Sequence, residues 1–351
     1  MRTTLGALLA LVMAIASGPT LAQRYFGYWA NSGAINENHD HTNITFVFQS
    51  FESPNTATNN IINELNIAKS KNLKAMVMVE SFVFETQFSY GSSVPSKWNN
   101  FVNSLIAAGH LSYNNPSAST VIAFFVIDEP ELHNLKDIGG QPHPAVSNAV
   151  ATIKNHPATA SFVTAATFSK KYMDAYNSVR LVDWAAMDDY SLNDASYISA
   201  FNTFQGVLRS GQRSIFMPQA SYGGSMMTPY GDYNRPDPMY DYFAGNSKAI
   251  LLMPFLWKHF ATQGVSSIGE LKDAYQAIGR SIKRQGPPPL RLSITCGGQP
   301  GAWQCSASAS RGSPMYRFQW ANSAGVTKIE STSGTSVFTF GGLCAKVEGI
   351  E

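Results

Sequence analysis

Short apolar runs separated by amphipathic stretches organise most of the chain. Strand-like runs occur at "RYFGYW", "ITFVFQS", "KAMVMVESF", "VIAFFVIDEP", "ASFVTAATF", "VDWAAMDDY", "SIFMPQASY" and "AILLMPFLW". Apolar side chains on successive positions predict strands covered on both faces. Between the runs the spacing becomes helical: Ile61, Leu65 and Ala68 share a face, as do Trp98, Phe101 and Leu105, and Ile198, Phe201 and Phe204. The segment "ANSGAINENHDHTN", between the first two runs, is too polar to predict a helix. Strands alternating with helices predict a parallel sheet, and eight such runs are the number that closes a (β/α)8, or TIM, barrel. A doubly wound open sheet is the alternative.

The pattern changes near residue 285. "GELKDAYQAIGRSIKR" still reads as a helix, with Leu271, Ala274, Ile278 and Ile282 on one face; "RQGPPPLR" then stops it, and short alternating runs rich in Ser, Thr and Gly follow. The expected organisation is a barrel over 23–284, a Pro-rich linker over 285–290 and a small all-β module over 291–351. Cys296, Cys305 and Cys344 all lie in that module, so any disulfide belongs to it and one cysteine stays unpaired within a monomer. At the other end, Arg2, the apolar "LGALLALVMAIA" and the small-residue "TLA" before Gln23 read as an export signal over 1–22, which predicts a periplasmic or secreted product. No later run is apolar for long enough to insert in a membrane. With a net charge of +2 and no basic stripe, the chain lacks the electrostatic footprint of a nucleic-acid binder. A soluble monomer with no cofactor and no metal is the expectation.

Candidate chemistry collects at the carboxyl ends of the runs. Seven apolar residues, Val121 to Ile127, run directly into Asp128, Glu129, Pro130 and Glu131. In a parallel barrel the strand ends form the mouth, where the chain leaves the core and the active site is built. Glu80 on the third run, Asp188 and Asp189 on the sixth, Gln219 and Tyr222 on the seventh and Trp257 on the eighth occupy the same level, with Trp29 after the first. Glycosidic cleavage needs such a set: a protonated carboxyl for the leaving oxygen, a second carboxylate, and aromatic faces for the sugar rings. Each of these residues also has an ordinary reading, the acids as ion-paired mouth carboxylates and the aromatics as core.

The fourth run resembles the fourth strand of the retaining (β/α)8 glycoside hydrolases, in which an Asn-Glu-Pro tripeptide ends the strand and its Glu is the acid/base. Asp128-Glu129-Pro130 stands here. The resemblance implies Glu129 as general acid/base and Asp128 as a residue that orients substrate. Those enzymes take a nucleophilic Glu from the seventh strand, where this chain has Gln219, so Asp188 or Asp189 is the expected partner of Glu129. Glu80, Trp29, Gln219, Tyr222 and Trp257 are the expected substrate contacts. A non-catalytic carbohydrate-binding or cell-surface barrel that has lost the nucleophile is the alternative. The C-terminal module resembles bacterial immunoglobulin-like domains through Cys305, Trp320 and Cys344. That likeness implies a two-sheet sandwich with a Cys305–Cys344 disulfide, and the early stop at "LCAKVEGIE" reads as a truncated last strand.

Other chemistries find less support. His39 and His41 flank Asp40 at a spacing that a deacetylase-like metal site could use, but nothing else completes a ligand set. There is no Gly-x-Ser-x-Gly elbow and no phosphate-binding Gly-rich loop. The stretch "ASYGGSMMTPYGDYNRPDPMYDYF" reads as a long aromatic loop able to wall a cleft.

Overall fold

The computed structural model describes residues 23–29, 33–49, 51–169, 176–190, 193–221, 233–258 and 263–284, together with six strands between 291 and 349. Eight short strands form the central sheet: β1 (Tyr25–Phe26), β2 (Ile44–Val47), β3 (Lys74–Met78), β4 (Val121–Asp128), β5 (Val163–Ser169), β6 (Trp184–Asp188), β7 (Arg213–Phe216) and β8 (Ala249–Leu252). From β2 to β8 each strand pairs in parallel with the next, and β8 returns to pair with β1. A doubly wound sheet would reverse its strand order, so this unbroken sequence selects the barrel. The seam between β1 and β2 is closed by Asn43, whose N–H donates to the Phe26 carbonyl at 3.1 Å and whose Oδ1 accepts from the Phe26 N–H at 2.7 Å. Gly27 is required at the seam, because a Cβ there would lie 2.5 Å from the Ile44 carbonyl oxygen.

Helices cover the sheet as the spacing predicts. They are α1 (Ile35–Asn38), α2 (Pro54–Ser70), α3 (Glu80–Val83), α4 (Val94–Ala107), α5 (Pro144–Asn155), α6 (Tyr176–Val179), α7 (Asp194–Val207), α8 (Pro236–Gly245) and α9 (Gly269–Arg284). Helix α2 starts at Ser53, whose Oγ accepts from the Thr56 N–H, and it buries Ala57, Ile61, Leu65 and Ala68. Within the polar segment after β1 the chain forms one helical turn, α1, fixed by burial of Ile35. Helix α9 buries Leu271, Tyr275, Ile278 and Ile282 against β1; Tyr275, not Ala274, fills the second position because its ring stacks with Phe26.

Two apolar clusters divide at the barrel wall. Phe46, Met76, Met78, Phe125, Ala165, Trp184, Ala186, Ile215, Met217 and Met253 pack inside the barrel. Val47, Val77, Phe124, Val126, Ala166, Ala185, Met187 and Phe216 belong to the layer shared with the helices. The alternation is that of strands whose successive side chains take opposite faces. Strand β4 breaks it, because its pairing with β5 shifts register between Phe125 and Ile127, and both Val126 and Ile127 fall in the outer layer.

Beyond the barrel, β9 (Arg291–Gln299), β10 (Ala302–Ser310) and β13 (Thr335–Phe340) form one three-stranded antiparallel sheet; β11 (Tyr316–Asn322), β12 (Thr327–Thr332) and β14 (Ala345–Gly349) form another. Cys305 lies opposite Cys296 in the β9–β10 register. Cys344, its expected disulfide partner, lies outside the described residues, as do segments 1–22 and 285–290. No helix among the described residues is long and apolar enough to cross a membrane.

Candidate active site

Strand alternation carries acids to the barrel mouth. Met76 and Met78 face inward, so the next residue of that parity, Glu80, continues inward; Trp184 and Ala186 do the same for Asp188. From Phe125, simple alternation would send Asp128 to the outer layer. The extra residue in β4 resets the parity and turns Asp128 to the inside, the re-aiming that a β-bulge produces. Strand β4 gives way to Glu129, which takes a left-handed conformation with φ +43° and donates its N–H to the Thr167 carbonyl at 3.0 Å. A non-glycine residue held there is strained, and such strain is typical of functional turns. A 3-10 turn, Pro130–His133, follows.

The four carboxyls form one cluster. The Asp128 N–H donates to Glu80 Oε1 at 3.0 Å, tying the start of α3 to the end of β4. Glu80 is 6% exposed, and burial raises its pKa to about 7 against the opposing effect of that hydrogen bond. Asp128 is pushed well above the usual carboxylate range by burial, then by the charges of Glu129, Glu80 and Glu131. Burial also raises Asp188, and the charges of Glu129 and Asp128 add to it.

Around the cluster stand polar groups that the sequence reading did not single out. Tyr190 stacks on Phe255, with centroids 4.3 Å apart and planes 29° from parallel, and its hydroxyl lies beside Asp188. Thr167, wholly buried, sits opposite Asp128 in the β4–β5 register. Thr167 Oγ1 and Asp128 Oδ1 are buried with no hydrogen-bond partner among the described residues. Inward parity was the available signal: Tyr190 follows Asp188 by two positions, and Thr167 follows the inward Ala165 by two. His133, stacked on Phe88 at 3.9 Å, carries the rim outward; burial lowers its pKa while the Glu129 charge opposes this.

The remaining expected residues are distributed differently. Asp189, half-buried, follows Asp188 just past the end of β6. Trp29 is 5% exposed and packs inside the barrel on Phe46 and Phe125, 4.7 and 5.2 Å away. Trp257 belongs to the outer layer: it is 1% exposed, packs on Tyr28 at 4.9 Å and donates its indole N–H to Glu37 at 3.0 Å. Its ring has no open face for a sugar. Phe255 is the aromatic that this strand brings to the mouth. Gln219 is buried, its N–H donating to Asn234 Oδ1 and its side-chain amide to the Ser221 carbonyl. Tyr222 and most of the long loop lie outside the described residues.

The two histidines considered as metal ligands serve other ends. His41 is wholly buried between Asp40, 2.7 Å from Nδ1, and the Tyr28 hydroxyl, 3.0 Å from Nε2. Although burial opposes its ionisation, Asp40 is held down at about 2 by hydrogen bonds from Arg280 and His41, which ties α9 to the segment before β2. His39 Nδ1 lies 3.2 Å from the Asn36 carbonyl. No group of His, Cys, Asp or Glu among the described residues is arranged to hold a metal ion.

No family model and no curated protein matches the chain. Among solved structures it is similar to an endo-β-1,4-mannanase double mutant from Cellulomonas fimi, at 10% identity over 91% of this chain and 93% of that one, with a TM-score of 0.46. It is likewise similar to the endo-β-1,4-mannanase from Thermotoga petrophila, at 8% identity over 91% of each chain, TM-score 0.48. A GH18 chitinase from Pseudoalteromonas aurantia gives 10% identity over 73% of this chain and 98% of that one, TM-score 0.45. The chain's own geometry supplies the chemical content: a parallel barrel whose mouth gathers Glu80, Asp128, Glu129 and Asp188.

Proposed function

We propose that this chain is an exported glycoside hydrolase of poly- or oligosaccharides with Glu129 as general acid/base. The observation that carries the reading is the gathering of Glu80, Asp128, Glu129 and Asp188 at the strand ends of the barrel mouth. A general acid must still hold its proton at working pH, and acids gathered at such a mouth favour the protonated form of one of them. Glu129 gives that proton to the glycosidic oxygen as the bond to the anomeric carbon breaks and its electron pair passes to the leaving oxygen. The resulting carboxylate then takes a proton from the water that completes hydrolysis.

Asp188 is the partner carboxyl of Glu129 in this reading. Carboxyls that bracket a scissile bond stand about 5–5.5 Å apart when the second is the nucleophile and about 6.5–9.5 Å apart when a water lies between. The separation of these two groups with a sugar bound decides which of these roles Asp188 takes. Asp128, aimed inward by the bulge, orients substrate, and Glu80 fixes the Asp128 peptide. Export through segment 1–22 and an immunoglobulin-like C-terminal sandwich belong to the same reading; the N-terminal residue of the protein recovered outside the cell checks the first.

Glu129→Gln tests the assignment. The amide is nearly isosteric and cannot donate the catalytic proton, so reducing-end release falls by about 100-fold or more while the melting temperature stays within a few degrees. Equal turnover by both proteins rejects it. The alternative, a non-catalytic carbohydrate-binding barrel, is favoured by Gln219 standing just past the seventh strand where an acid is expected; saturable binding of a sugar that the wild-type protein never cleaves would select it.

A further inference from the structure

We propose that the mouth takes a sugar chain carrying unsubstituted amino groups and binds an amine as its ammonium ion between Asp128, Thr167 and Asp188, an inference that rests on the glycosidase reading above. Hydrolysis of a neutral glycoside calls on two carboxyls. Four are gathered here, at the ends of β3, β4 and β6: Glu80, Asp128, Glu129 and Asp188. No lysine or arginine among the described residues pairs with them. The cations that form ion pairs do so elsewhere, Lys154 and Arg209 with Asp183, Arg235 with Asp194, Lys258 with Glu37 and Arg280 with Asp40. Burial and mutual repulsion hold protons on Glu80, Asp128 and Asp188 while the mouth is empty, and a cation brought beside Asp128 and Asp188 supplies the charge that lets them ionise.

Unpartnered atoms aimed into the same space identify the form of that charge. Thr167 is wholly buried, at an inward position of β5 and opposite Asp128 in register, and its Oγ1 has no partner among the described residues; neither has Asp128 Oδ1. An ammonium group has three N–H donors and no acceptor, so it can donate to both of these oxygens and to the Asp188 carboxyl. A sugar hydroxyl brings no charge, and a uronic acid would add a further anion to the cluster. Among the described residues no group of His, Cys, Asp and Glu is arranged to hold a metal ion, and an organic cation suits these oxygens. In an amino sugar the cation stands on the ring itself, within reach of a proton donor at the glycosidic oxygen.

The test uses the full chain and three tetrasaccharides: β-1,4-linked glucosamine, its fully N-acetylated counterpart and β-1,4-linked glucose. Binding is measured by calorimetry at about pH 6, below the ordinary amine range, and cleavage by reducing-end release. The expected result is at least tenfold tighter binding of the glucosamine tetramer than of either other, with the preference lost in Asp128→Asn. Equal or better binding of the acetylated or neutral tetramer overturns the amine assignment, and if that tetramer is cleaved the hydrolase reading stands without it. Binding and cleavage of none of the three overturns the amine proposal. The hydrolase reading falls separately, through full turnover by Glu129→Gln on whatever glycoside the wild-type protein hydrolyses.

Discussion

Glu80 shows how a single buried acid links stability to activity. Its carboxyl titrates near 7 in the folded chain, against 4.5 for an exposed glutamate. The folded state therefore binds more protons than the unfolded state between these values, so Glu80's contribution is fully present below about 4.5 and is lost as pH rises through about 7. The shift corresponds to on the order of 3 kcal/mol. Glu80→Gln keeps an oxygen to accept the Asp128 N–H but cannot ionise. Thermal melts at pH 5 and pH 8 should therefore show the variant gaining stability relative to wild type at the higher pH; an unchanged difference would mean that Glu80 does not stay protonated. Asp188 is read through activity instead. Because burial and the Glu129 charge raise Asp188, Asp188→Asn moves the alkaline limb of the kcat/KM profile to lower pH, whereas Asp189→Asn leaves that limb in place. A shift with Asp189→Asn and none with Asp188→Asn would transfer the role.

At the scale of elements, the barrel seam and the β4 bulge position the mouth. Gly27→Ala places a methyl group 2.5 Å from the Ile44 carbonyl oxygen, so β1 and β2 must separate. A loss of about 1–3 kcal/mol in denaturant unfolding is expected, the usual cost of overpacking, and an unaffected midpoint would show that the seam yields freely. The eight strands and most helices are legible in the sequence because period-2 and period-3.6 patterns persist over whole elements. Inward acids can be read the same way where alternation is unbroken, as it is from Met76 to Glu80 and from Trp184 to Asp188. Asp128 could be placed at a strand end but its direction could not, since the inserted residue in β4 appears only in the pairing with β5. Trp257 was open to two readings because a strand-end tryptophan has the same local pattern in either layer; Glu37 and Tyr28, both distant in sequence, decide it. The one-turn helix α1 rests on tertiary burial of Ile35 and leaves no periodic trace.

For the whole molecule, α9 marks where the barrel ends. Gly279 packs beneath the His41 carbonyl and the Phe26 ring, Arg280 pairs with Asp40, and Lys283 donates to the His39 carbonyl, so the first strand is held by the last helix. A chain ending after Arg284 should fold and keep its activity on small soluble substrates, while one ending before Gly269 should not give a cooperative melt; aggregation of the longer product would show that the barrel depends on the C-terminal strands. The central claim is that Glu129 donates a proton to the leaving group, and the most direct measurement compares leaving groups. On glycosides of a sugar that the wild-type protein cleaves, Glu129→Gln should lose about 100-fold or more with an alkyl leaving group, which needs the proton. With a dinitrophenyl leaving group, which departs without one, bond cleavage in a single turnover should stay close to the wild-type rate. An equal loss on both glycosides, or no loss on either, would contradict the account.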